Sequence, residues 1–181
     1  MKKRRTVLVC FLLIAAMTIG VGYAALSDTL YATGTASINA DDSQETFEGD
    51  IYFSKAVAGE GRATATISNE DDTPAGKNDK VTITVNDGIF TEVNDEVIVT
   101  LTVKSENDLP VYVQVQSLVE ESDYFSVTVV PTGFATDAPA LIQPNSTVDY
   151  VVTIKQIKTA VADQSLSFSF QLYAATENPT P

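Results

Sequence analysis

The chain has 181 residues, 24 acidic against 11 basic side chains, a net charge of −13, one cysteine and no histidine or tryptophan. With no histidine and only Cys10, it can build no intrachain disulfide, His/Cys zinc site, Ser-His-Asp triad or Cys-His pair. Nucleic acid is excluded as a natural partner, because a phosphate lattice repels so acidic a surface.

The first element is an export signal. Lys2, Lys3, Arg4 and Arg5 form a basic head, and Thr6 to Ala24 is an uncharged run dominated by apolar side chains. Gly22 and Ala24 place small residues at −3 and −1 around Tyr23, so the expected cleavage lies between Ala24 and Ala25. An uncleaved anchor is the competing reading, since about 20 apolar residues span a bilayer. In both cases the basic head stays inside and everything after Ala25 lies outside the cytoplasm, making the protein secreted or exposed at the cell surface. Cleavage removes four basic side chains and no acidic one, which takes the net charge to −17. The remaining chain can bury roughly 70% of its unfolded surface and so sustain a core without disulfides. The expected division is a signal peptide (1–24), an N-terminal strand with the start of an acidic tether (25–40), a β-sandwich domain (41–175) and a polar tail (176–181).

From residue 26 onward the periodicity is two. Leu26, Leu30, Ala32, Gly34, Ala36 and Ile38 share one parity, interrupted by Asp28, with Ser and Thr dominating the other. The polar stretch Ala40 to Glu45 then acts as a tether. Such a strand can fold onto its own sheet or complete a neighbour's, the donor-strand mode of assembly. Further strands are expected over Val81–Val85, Val97–Lys104, Val111–Gln116, Phe125–Val129, Val148–Ile154 and Leu166–Leu172. Asp87-Gly88 is the favoured dipeptide of a two-residue hairpin, predicting that Val81–Asn86 pairs with Ile89–Val93. Pro110 suits the entry of a strand, and Pro131 to Asn145 reads as one long surface loop. One apolar and one wet face per strand predicts an all-β antiparallel sandwich, jelly-roll-like, with an immunoglobulin-like sandwich as the alternative.

Two segments resemble each other. Asn94 to Lys104 aligns with Asn145 to Lys155, sharing Asn, Val, Thr and Lys and the apolar register. A turn feeding a long strand, used twice, explains this; so does the sameness of any two amphipathic strands.

Catalytic patterns are missing. The sequence holds no Gly-x-Ser-x-Gly elbow, Ser-x-x-Lys, His-Glu-x-x-His or phosphate-cradling glycine loop. Acidic neighbours such as Asp41-Asp42, Asp71-Asp72 and Glu120-Glu121 point to opposite faces on a strand and to water in a loop. No catalytic residue, cofactor or metal ligand is therefore assigned. Calcium is the more reasonable ligand, because it takes oxygen donors alone; the candidate loops are Asn69–Thr73 and Asn94–Glu96, but neither has EF-hand spacing and solvated loops are the plainer reading. Asn145-Ser146-Thr147 has the form of a glycosylation sequon and reads better as a turn before a strand.

The junction Gly22-Tyr23-Ala24-Ala25-Leu26-Ser27-Asp28-Thr29, followed by Ala32-Thr33-Gly34-Thr35, resembles the head of the camelysin/TasA family of exported Gram-positive proteins. The stretch from Val93 through Asn107 resembles that family's turn, strand and polar turn, with the glycine usual in the first turn absent. The family also carries an aromatic residue where Leu26 stands. The resemblance implies removal of the signal by a SipW-type signal peptidase and a jelly-roll fold. It also implies assembly into extracellular biofilm fibres, with the strand Leu26 to Asn39 donated to a neighbour. Self-association or related matrix proteins are then the expected partners. A monomeric surface-binding module is the first alternative. The metallopeptidase class given to camelysin-like members is the second, and it finds no histidine here.

Overall fold

The structure, a computed structural model, describes residues 30–40, 51–59, 61–68, 78–120, 122–136, 138–159 and 164–178. Ten strands form among them: β1 (Leu30–Ala40), β2 (Ile51–Ala58), β3 (Ala63–Ser68), β4 (Lys80–Val85), β5 (Glu96–Ser105), β6 (Val111–Glu120), β7 (Phe125–Pro131), β8 (Ala140–Ile142), β9 (Thr147–Gln156) and β10 (Gln164–Ala175). No helix occurs among the described residues. Six strands make sheet A, in the order β3-β4-β1-β10-β6-β8, and four make sheet B, in the order β2-β5-β9-β7. The chain is thus an all-β sandwich. Every connection except the β3–β4 hairpin passes from one sheet to the other, which is jelly-roll-like connectivity.

Alternation drives the packing. Val97, Val99, Leu101 and Val103 of β5 are buried, and so are Tyr150, Val152 and Ile154 of β9 and Leu166, Phe168, Phe170 and Leu172 of β10. Their neighbours in sequence face water, so each sheet offers one apolar side to the other. Tyr150 crosses the core: its fully buried hydroxyl donates to the Val113 carbonyl of β6 at 2.8 Å, tying sheet B to sheet A. Burial without charge compensation pushes its phenol well above the ordinary tyrosine value.

Three expectations are corrected. Asp87-Gly88 does form a turn, with Gly88 at φ 71°, but Ile89–Val93 is not a strand. The chain there leaves sheet A for sheet B, and Phe90 seals the end of the core in an edge-on contact with Phe125, 4.8 Å between ring centres. A buried aromatic outweighs the local hairpin preference. Within the segment read as one loop, Ala140–Ile142 is a short strand, β8, paired with Val111–Val113, with Ala140 and Ile142 buried. Finally, the sandwich is not wholly antiparallel, because β1 runs parallel to β10.

The two similar segments turn out to be partners. β5 and β9 are adjacent and antiparallel, from Glu96↔Lys155 to Lys104↔Thr147. Asn94 and Asn145, at equivalent positions, both take positive φ (80° and 56°), a conformation asparagine tolerates better than most residues. Asn94 N–H donates to the Gln156 carbonyl, and Ser105 N–H donates to that of Ser146. Ser105 and Gln156, the buried polar residues, also occupy equivalent positions at the two strand ends. A local pseudo-two-fold axis therefore relates the halves of this pair.

Candidate assembly site

The first described strand holds the most consequential position in the molecule. β1 lies between β4, to which it is antiparallel, and β10, to which it is parallel. Without it, sheet A would consist of two separate pieces, β3-β4 and β10-β6-β8. Its polar residues Thr33 and Thr35 face outward, while Ala32 and Ala36 are buried to within 1%. Ile38 packs against the core, and its N–H donates to the Asp79 carbonyl at 3.0 Å, fixing the end of the strand beside β4.

Gly34 explains why the inward positions are small. Its register partner on β10 is Phe168, whose ring covers it so closely that a Cβ on Gly34 would sit 2.0 Å from the ring tip. The glycine thus creates the space for a buried aromatic, and the aromatic covers backbone that the glycine leaves bare. Such an aromatic-over-glycine pair pins strand register. A slip by one residue would put Thr33 or Thr35 under the ring and turn the threonines inward.

Of the residues expected to matter for assembly, Ala32, Gly34, Ala36 and Ile38 come together in this slot, and Leu30 begins the strand. Leu26 and the cleavage residues Gly22, Tyr23, Ala24 and Ala25 lie outside the described residues, as do the tether after Ala40 and the acidic loop at Asn69–Thr73. β1 runs through Asn39 and Ala40, which pair with Tyr173 and Ala174.

The acidic turn at Asn94–Glu96 is described, and its carboxylate is occupied. Asp95 Oδ2 accepts hydrogen bonds from Thr91 N–H (2.7 Å), Glu92 N–H (2.9 Å) and the Thr91 hydroxyl (3.0 Å). The Thr91 amide first, then that of Glu92, holds the carboxyl below its ordinary pKa. Asp95 therefore ties the loop together. Among the described residues, no three His, Cys, Asp or Glu side chains gather as a metal site would require.

A second feature was not anticipated. β8 covers only Val111–Val113 of β6, so among the described residues the rest of that strand has no strand partner on this side, and neither does the outer side of β7. Between them lies a cleft of about 360 Å³, lined by Val115, Leu118, Val127, Val129, Pro131 and Tyr150 among others. Glu120 reaches from β6 to β7, its carboxylate accepting the Val127 N–H at 2.7 Å. A charged side chain thereby occupies part of an otherwise open strand edge, which is how natural sheets discourage unwanted pairing. Only the three-residue length of β8 exposes this seam, and nothing in the sequence announces that length.

No family model matches the chain, and neither does any curated protein. Among solved structures it is similar to the yeast delta-COP-I mu-homology domain, with 8% identity, a TM-score of 0.20, and coverage of 81% of this chain and 95% of that one. A likeness at that level carries no argument about fold or function.

Proposed function

We propose that the protein is an exported structural subunit of an extracellular matrix or biofilm fibre, assembled by exchange of β1 between copies. The observation that carries this reading is the seat of β1: an N-terminal strand in the middle of a sheet, in a slot whose two walls belong to later parts of the chain. A slot that fits a copy's own β1 fits another copy's β1 with the same register and hydrogen bonds, so exchange costs little beyond chain entropy. Repeated head to tail, exchange generates an open filament. The export signal and the camelysin/TasA resemblance of residues 22–39 support an extracellular setting and a SipW-type processing step. The reading involves no catalytic step and no cofactor.

Placing cysteines at the paired positions Thr35 and Thr82 tests exchange directly, since the only native cysteine is Cys10. Oxidation of the secreted form, after fibres are grown at high protein concentration, is expected to give covalent ladders on a denaturing gel. The same variant oxidised in dilution is expected to give locked monomers that no longer form fibres by electron microscopy. Exclusively intramolecular cross-links under all conditions would overturn the proposal. N-terminal sequencing of the secreted form shows whether the chain starts at Ala25.

Net charge sets the conditions. Copies this acidic repel one another at low ionic strength, so salt, divalent cations or acid should promote assembly. A monomeric surface-binding module remains the second reading, favoured by the cleft beneath the loop that carries Thr136 and Ala138. Size exclusion that stays monomeric at every concentration and salt would favour it.

A further inference from the structure

The outer face of sheet A has an unusual chemistry. Across β3, β4, β1 and β10 the register aligns Thr64, Thr84, Thr33 and Ser167 in one rank, and Thr66, Thr82, Thr35 and Ser169 in the next. All are half or fully exposed. None of the four strands carries an aspartate or glutamate, although the chain has 24, and Lys80 is their only charged residue. Between β1, β10 and β6 the face sinks into a shallow depression of about 200 Å³, lined by Thr33, Thr35, Ser167, Ser169, Gly34 and the 51%-exposed Val119, among others.

Three physical arguments identify the occupant. Rows of uncharged hydroxyls beside an exposed aliphatic wall match the surface of a sugar chain, with hydroxyls at its rim and C–H groups on its ring faces. The depression is smaller than the roughly 300–1,000 Å³ of a pocket that engulfs a drug-sized ligand, so it suits a short stretch of polymer lying across it. The two hydroxyl ranks, across four strands about 4.8 Å apart, cover on the order of 200 Å². That is well below the roughly 800 Å² per partner of a stable protein interface, so a second copy confined to the hydroxyl ranks would hold weakly. A polymer engaging many copies gains from multivalency instead.

We propose that this face, centred on the depression between β1 and β10, binds a neutral polysaccharide. The site exists whether β1 comes from the same copy or another, because both place Thr33 and Thr35 in the same register. It therefore stands independently of strand exchange. The test is co-sedimentation of the secreted protein with insoluble cellulose and chitin, and affinity electrophoresis in soluble dextran, with polygalacturonate as the anionic comparison. Retention by at least one neutral glycan is expected. It should weaken at least tenfold in the variant Thr33→Val, Thr35→Val, Ser167→Ala, Ser169→Ala, and in Val119→Asp alone. The pair Thr128→Val, Thr153→Val on the outer face of sheet B should retain wild-type binding, and circular dichroism should show every variant folded. No retention by any neutral glycan, equal loss in the sheet B pair, or preference for polygalacturonate would overturn the proposal. So would a concentration-dependent dimer, seen by sedimentation, that the hydroxyl-free variant abolishes.

Discussion

Sheets A and B share one core and are held together differently. Sheet B is four antiparallel strands, with the symmetric β5–β9 pair at its centre, and its outer side carries its own polar network. There the Thr102 hydroxyl donates to Asp149 at 2.7 Å, and Lys104 pairs with Glu106 at 2.6 Å, where the Tyr52 hydroxyl also donates. Sheet A has an almost uncharged exterior, and its continuity depends on β1, whose inward side chains are mostly small. The lesson is that one sheet is specified by long neighbouring strands, and the other by an inserted strand that is separable in principle. The proposed strand exchange draws on the second kind of sheet, and a stable fold on the first.

Substitutions at the β1 slot should break sheet A most severely. Phe168→Ala removes the ring that covers Gly34 and should cost about 3–5 kcal/mol, measured by denaturant unfolding, with a matching loss of fibres. Gly34→Ala presses a methyl group into that ring and should cost about 1–3 kcal/mol by overpacking. Because the two residues touch, the double variant should fall short of the summed losses. Strict additivity would show that the ring and the glycine are not coupled.

Tyr150→Phe probes the link between the sheets and should cost about 1–2 kcal/mol, the worth of a buried hydrogen bond. Its pH dependence has a definite sign. Burial raises the folded-state pKa above the unfolded value of about 10, so this contribution is complete below that pH and fades as pH rises past it. Wild type should lose stability in that alkaline range more steeply than Tyr150→Phe.

The smallest effect belongs to the Asp95 loop, at the start of β5 in sheet B. Asp95→Ala should cost about 1 kcal/mol, less than the roughly 1.5–3 kcal/mol of a hydrogen bond to a charged group, because the carboxylate is largely solvated. Its folded-state pKa is lowered by the Thr91 and Glu92 amides. Its contribution is therefore present above the ordinary carboxylate range and is lost as pH falls through the folded value. Thermal melts between neutral and acid pH, compared with the alanine variant, check this.

Legibility in the sequence followed the strength of the alternation. β5, β7, β9 and β10 could be read from it because large apolar residues recur at every second position. β2 escaped notice because a bulge between Phe53 and Lys55 breaks its period. β3 escaped because Ala63 and Ala65 give a weak apolar signal, although they sit on the same side as Ile67. β8 was hidden in a stretch rich in proline, with only Ala140 and Ile142 to mark it. At the assembly site, the small inward residues of β1 were visible, but the reason for Gly34 was not. That reason is Phe168, a residue 134 positions further along the chain.

Local chemistry alone decided the acidic composition, the absence of the catalytic motifs sought and the division of most strands into a wet and a dry side. These follow from charge and from the two-residue repeat of an extended backbone, which need no knowledge of neighbours. Tertiary structure alone decided which strands meet, that β1 runs parallel to β10, and that threonines distant in sequence line up on one uncharged face. Pairing partners are chosen by the fit of side chains across the whole sandwich, and that fit is a property of residues brought together from far apart in the chain.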